Sequence, residues 1–206
     1  MKFGHSLIVV AIVAGNLVWL QPASAQTGTE TINRLVQIFT TWNGNAKDRS
    51  AYAKAARYID YQGMAQRSIS ASEWNKLSAT QKSDFANSLR SLIEERYYTR
   101  WHRIFNKGKL TYKGECNVGA DTVVKSDLQL GKKVDALEWR LDTVGGEHRV
   151  VSLAVGQSDL LKKLSSRLQG RLDKVGFDGL LTWMTSKANI GPSENYEEAS
   201  SPTHSQ

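Results

Sequence analysis

Cysteine is almost absent from this 206-residue chain: Cys116 stands alone, so no intrachain disulfide is available and packing has to hold the fold. Proline is scarce too, with Pro22 near one end and Pro192 and Pro202 near the other. Of the four histidines, His5 and His204 lie at the extremities, which leaves His102 and His148, too few for a metal cluster. No GxGxxG, P-loop, HExxH, CxxC or GxSxG pattern occurs, so the usual signatures of dinucleotide, phosphate, zinc and serine chemistry are missing. Basic residues never run longer than a pair, which argues against a nucleic-acid groove. The one long apolar run, Leu7 to Leu20, is roughly 14 residues, short of the ~20 that span a bilayer.

That run has another use. Lys2 precedes it, Pro22 ends it, and Ala23-Ser24-Ala25 is the small-residue pattern that signal peptidase reads. The sequence therefore predicts a signal peptide over residues 1–25, cleavage after Ala25, and a mature protein in the periplasm. No cysteine follows the cleavage point, so a lipid anchor is not expected. The formal net charge of +7 falls to +6 without Lys2, a balance suited to anionic headgroups or acidic proteins.

The mature chain divides into helices, then strands, then two helices, in one domain over residues 26–190. Thr27-x-x-Glu30 is a capping-box pattern opening a helix with Ile32, Leu35, Val36 and Phe39 on one side. Asp48 can cap a second helix bearing Tyr52, Ala55, Ala56 and Ile59, and a short one follows around Met64 and Ile69. Ser70-x-x-Glu73 and Ser78-x-x-Gln81 are further capping boxes, the latter opening the longest helix, roughly Ala79 to Asn106. Its stripe of Phe85, Leu89, Ile93, Tyr97, Trp101 and Phe105 steps by four and drifts about 40° per step, so its two ends bury different faces.

From Lys109 the period becomes two. Leu110, Tyr112, Gly114 and Cys116 share one face; Val124, Ser126, Leu128 and Leu130 the next; then Leu137, Trp139 and Leu141; then Val151, Leu153 and Val155. Turns at Asn117–Gly119, Gly131 and Gly145-Gly146 separate four strands of an antiparallel meander with one wet face. Helices follow over Gln157–Lys174 and Phe177–Lys187, broken at Gly176. Residues 191–206 are rich in Ser, Glu and Pro, and a disordered tail is expected there. Cys116, on an alternating pattern, is predicted to be a buried, unreactive filler. Glu94-Glu95 and Glu197-Glu198 are predicted to be solvated surface charge, because adjacent helical residues point about 100° apart and cannot share a substrate.

At Tyr58 the sequence becomes specific. Tyr58-Ile59-Asp60-Tyr61-x-x-Met64-Ala65-x-Arg67, then Trp74-x-x-Leu77-Ser78-x-x-Gln81-x-x-x-Phe85-x-x-x-Leu89-Arg90-x-Leu92-Ile93-x-x-x-Tyr97, and Gly176-Phe177-Asp178-Gly179-Leu180-Leu181 resemble the MlaC family over roughly Thr29 to Asn189. These are periplasmic phospholipid carriers, also called toluene-tolerance or ABC-transporter auxiliary proteins. One departure is Gln157-Ser158-Asp159-Leu160 where the family has a Gly-x-Ser-Leu turn; Asp caps a helix about as well as Ser. The resemblance implies an α+β fold with a helical N-terminal half, a four-stranded twisted antiparallel sheet and two C-terminal helices, enclosing an apolar lipid cavity.

The candidate cavity residues are Leu89, Ile93, Tyr97, Trp101 and Phe105 on the long helix, and Leu110, Tyr112, Val124, Leu128, Leu137, Trp139, Leu141, Val151 and Leu153 on the strands. By periodicity alone the same residues describe a filled core equally well. The resemblance also implies no catalysis, no metal and no cofactor beyond the bound lipid. Its partners would be an inner-membrane ABC transporter with its lipid-binding subunit and an outer-membrane acceptor. A hopanoid-associated branch of the family leaves a hopanoid-binding or enzyme-accessory role as the alternative, and an adaptor with a filled core is a third.

Overall fold

The computed structural model describes residues 26–46 and 48–189. The predicted signal peptide at 1–25 and the predicted tail at 191–206 lie outside the described residues. Five α-helices come first: α1 (Gly28–Thr41), α2 (Ser50–Ala55), α3 (Tyr61–Arg67), α4 (Ala71–Lys76) and α5 (Ala79–Lys107). An antiparallel sheet follows, ordered β1 (Lys109–Val118), β2 (Asp121–Leu130), β3 (Lys133–Val144), β4 (Glu147–Val155) and β5 (Ser158–Asp159). Helix α6 (Leu160–Asn189) closes the chain.

Side-chain caps start α1, α4 and α5 at the predicted residues and α3 at Asp60. Asp48, predicted to cap the second helix, instead lies one residue before its N-cap Arg49, which has no side-chain cap, and accepts from the Ser50 amide. Thr27 accepts from the Glu30 amide, Asp60 from Gly63, and Ser70 from Glu73. Ser78 and Gln81 form the full reciprocal box ahead of α5, satisfying two amides that the helix itself leaves unpaired. The two C-terminal helices are arms of α6, broken at Gly176, whose φ of 70° and ψ of −178° suit glycine alone. Leu160 and Leu164 pack beside the middle of α5, Phe177 meets Phe85 at 6.1 Å, and Arg96 Nη1 donates to the Lys187 carbonyl at 3.4 Å. The first arm thus runs back along α5 and the second returns.

The sheet has one strand more than the four expected. After Gly156, residues 158–159 fold back onto Ala154 and Val155 as β5, and Asp159 then caps α6 by accepting from the Lys162 amide. At the same strand the backbone of Ile59 bridges Val150 and the Asp60 amide donates to its carbonyl, so β4 is covered where β5 stops. Strand β1 pairs with β2 alone.

Two bulges overturn parts of the alternation. Between Tyr112 and Gly114 the register slips by one residue, with Gly114 at φ 137°. Before the slip Tyr112 stands opposite Ser126; after it Glu115 stands opposite Val124 and Cys116 opposite Val123. Glu115 takes the inner position and accepts from the amide and hydroxyl of Thr29, tying β1 to the start of α1. Cys116 is turned outward and is exposed, contrary to the buried filler that the alternation predicts. It is therefore expected to label with a thiol reagent in the native protein as fast as in denaturant. Cys116→Ser should shift stability by no more than about 0.5 kcal/mol. Protection from labelling until unfolding would contradict the bulge.

Glu94 corrects a second expectation. It is buried at 6% exposure, with Arg90 Nε donating to its carboxylate at 2.7 Å, because the drift of α5 carries position 94 under α3. Beside it the hydroxyls of Tyr61 and Tyr98 hydrogen-bond to each other, and burial holds both phenols well above their ordinary pKa, hence neutral. Glu95 pairs with Arg49.

One ion cluster fastens the helices to the sheet. Arg67, at the end of α3, grips both oxygens of Asp121 at 3.0 and 2.8 Å and Asp142 at 2.9 Å. The Arg67 hydrogen bond holds the Asp121 carboxyl below the usual range, with Arg140 assisting. A depressed folded pKa stabilises the protein above the unfolded value of about 3.9, and that share is lost as pH falls through the folded value. Arg67→Gln is expected to cost about 1–2 kcal/mol at neutral pH. The deficit should shrink toward about pH 3, read as denaturant midpoints at the two pH values. A deficit independent of pH would mean that Arg67 acts through packing rather than charge.

Candidate functional site

The core lies between α5 and the inner face of the sheet, and an apolar cleft remains within it. From α5 come Ile93, Tyr97, Trp101 and Phe105, four successive members of the drifting stripe. The sheet contributes Trp139, Val150, Ser152 and Leu153. Leu35 and Phe39 of α1, with Ile59 and Met64, form another wall, and Leu160, Leu161 and Leu164 of α6 close it. Met64, Tyr97, Trp101, Leu160 and Leu161 are half-buried and mark the mouth; Ile93, Phe105, Trp139 and Leu153 are buried and mark the floor.

Aromatic rings set the shape. Trp139 stacks on Phe105 with centroids 5.9 Å apart, and its Nε1 donates to Ser126 Oγ at 3.0 Å, so its one polar atom is satisfied away from the cleft. Phe39 meets Trp101 edge-on at 5.5 Å, and Tyr97 lies 6.0 Å from Trp101. The cleft is narrow: its cavity volume is about 40 Å³, room for a few waters at most. The walls come from separate elements: α1, α5, α6 and the sheet, with Ile59 and Met64 between them.

Six of the fourteen candidate residues line this space: Ile93, Tyr97, Trp101, Phe105, Trp139 and Leu153. Leu89, Val124, Leu128, Leu137 and Leu141 are buried in the core beyond it, and Leu110 and Tyr112 pack half-buried against that core. Tyr112 keeps a buried hydroxyl with no hydrogen-bond partner among the described residues, and burial pushes its pKa up to about 12. Val151 turns away from the cleft: the bulge between Arg140 and Leu141 puts Val150 opposite Leu141 instead. Val151 instead lies within 3.2 Å of where a side chain on Gly63 of α3 would begin. The walls from α1 and α6 are absent from the candidate list, although their leucine and phenylalanine stripes were the signal that could have supplied them.

The polar side chains among the residues lining the cleft are Ser152, whose Oγ donates to Asp159 at 2.8 Å, and Tyr97. His102 Nδ1 sits 2.8 Å from the Phe39 carbonyl, with its ring edge-on to Trp42, where it braces the end of α1. Among the described residues no group of three His, Cys, Asp or Glu is gathered to hold a metal ion. Nor is any described helix long and apolar enough to cross a membrane.

The model of the MlaC protein family matches residues 26–186 of this chain. The chain belongs to the MlaC family. Among solved structures, the phospholipid-binding protein from Ralstonia solanacearum, in complex with a phospholipid, has a similar fold. The match has a TM-score of 0.69, with 16% sequence identity over 82% of this chain and 98% of that one. No curated protein matches the chain. The MlaC membership agrees with the architecture implied by the sequence: a helical N-terminal half, an antiparallel sheet and a two-armed C-terminal helix.

Proposed function

We propose that the chain is a periplasmic lipid carrier that takes a phospholipid's acyl chains into the cleft between α5, α6 and the sheet and leaves the headgroup at the mouth. The observation that carries this reading is the cleft itself, walled almost entirely by apolar side chains. Support comes from the family, and from a neighbour of the same fold described as phospholipid-binding. In this reading the protein exchanges lipid with an inner-membrane ABC transporter's lipid-binding subunit and an outer-membrane acceptor, and catalyses no covalent step.

The energetics suit a carrier. Burying ~30 methylenes from water at ~0.8 kcal/mol each would exceed 20 kcal/mol, beyond the ceiling of non-covalent affinity. A membrane donor already keeps the tails dry, so transfer between membrane and cleft is close to neutral. The narrowness of the ligand-free cleft fits this role. Walls that close on one another leave little apolar surface facing water after release, and opening costs only the contacts they made.

Organic extraction and native mass spectrometry of protein isolated from the periplasm test the reading. A phospholipid at near one per chain is expected. A hopanoid in its place would redirect the ligand assignment, and protein recovered repeatedly without lipid would end the carrier reading.

A further inference from the structure

The first arm of α6 does more than close the cleft. Residues 160–175 carry Lys162, Lys163, Arg167, Arg171 and Lys174 against a single acid, Asp173, which accepts a hydrogen bond from Gln169 at 2.7 Å. Lys163, Arg167, Arg171 and Lys174 fall within about 80° of arc on the helix, beside the leucines whose first members form the cleft mouth. All are exposed except Arg171, half-buried with its guanidinium 5.9 Å from the Trp183 ring. Lys162, Lys163 and Lys174 make no ion pair among the described residues. At the far end Val175 is 42% exposed, an apolar side chain next to Lys174.

We propose that this arm docks the protein on an anionic bilayer surface, setting the cleft mouth against the headgroups. The charge pattern calls for an anionic partner. Two features favour a bilayer over an acidic protein: the basic residues share their helix with apolar side chains half-buried at the mouth and exposed at Val175, and they are spread along the helix rather than gathered at a pocket. A basic helix with a flanking apolar strip is the surface that an anionic interface takes up. Docking there gives the mouth direct access to lipid. This goes beyond the carrier reading and does not depend on it, because adsorption is read without regard to lipid content.

The test is co-sedimentation of the mature full chain with phosphatidylcholine vesicles, with and without ~30% phosphatidylglycerol. Each basic residue near an anionic surface strengthens adsorption roughly five-fold. Lys162→Gln, Lys163→Gln and Lys174→Gln together should weaken binding to anionic vesicles roughly a hundred-fold, with an unchanged unfolding midpoint. The exposed set Lys109→Gln, Lys125→Gln and Lys132→Gln removes the same charge elsewhere and should weaken binding less than about ten-fold. Wild-type binding should vanish on phosphatidylcholine alone and at about 0.5 M salt. Equal loss in the two triple variants would reduce the effect to net charge and overturn the proposal. Absence of adsorption to either vesicle would overturn it as well, in favour of an acidic protein partner.

Discussion

Trp139→Ala is expected to cost ligand-free protein about 3–5 kcal/mol, the penalty for deleting a large aromatic from a closed core. Trp139 is 2% exposed, stacks on Phe105 and holds Ser126 Oγ, itself 1% exposed, through Nε1. Truncation removes the stacking, leaves the serine hydroxyl without its partner and opens a void that the strand cannot collapse. Such a loss is a large part of the ~5–15 kcal/mol that holds an ordinary domain together, and it should lower the melting temperature by roughly 10 °C. A roomy cavity would make the same substitution cheap. At about 40 Å³ the cleft is too narrow for that, and the full cost is expected. Lipid should return part of the loss, since a ligand that binds only the folded state stabilises it by mass action. Unfolding of delipidated and lipid-loaded protein in parallel checks both parts, and a loss under about 1 kcal/mol in the delipidated form would contradict the packing described for Trp139.

Leu153→Trp attacks the same floor from the neighbouring strand. Leu153 pairs across the sheet with Trp139, is 7% exposed and lines the cleft. An indole there fills what space exists and presses on Phe105 and Leu164. Overpacking should cost about 1–3 kcal/mol, tolerable for the fold, while the acyl chains lose their place. Bound lipid per chain is expected to fall at least ten-fold, a bias of about 1.4 kcal/mol or more against the loaded state. Leu89→Met, in the core beyond the cleft, is the comparison: a volume-conserving change that should cost less than ~1.5 kcal/mol and leave the lipid load intact. If Leu153→Trp carries full lipid, the tails do not lie between β4 and α6.

These two variants depend on geometry that the sequence conveys only in part. Helix starts were legible at Thr27, Ser70 and Ser78, whose side chains replace missing amide partners, a local chemistry that needs no tertiary information. The stripe from Phe85 to Phe105 and the strand periods from Lys109 onward were legible for the same reason. A bulge is different: it adds one residue with no compositional mark except Gly114, and every later position changes face. Cys116 moved outward and Val150 took the place expected of Val151 through two such slips. Glu94 looked like a solvated charge because its own face of α5, which carries Arg90 and Tyr98, is buried only when Tyr61 of α3 folds onto it. Of the eight candidate residues that fell beyond the cleft, Leu89 lies on α5 one turn before the part that lines it, Val151 moved with its bulge, and the other six are on strands, where alternation reports which side faces inward. It carries no information on where, along that inner face, the helices leave a gap.

The central claim is that lipid tails occupy this cleft, and the most direct measurement is where a tail reacts. A phospholipid bearing a diazirine near the end of one acyl chain, loaded into the mature protein and photolysed, should leave its adduct on the floor and walls. Peptide mass spectrometry is expected to find it on residues such as Ile93, Phe105, Leu153 or Leu164, with the yield falling in Leu153→Trp in step with bound lipid. Adducts confined to the outer face of the sheet, or to surface residues of α5 and α6 away from the mouth, would contradict the account.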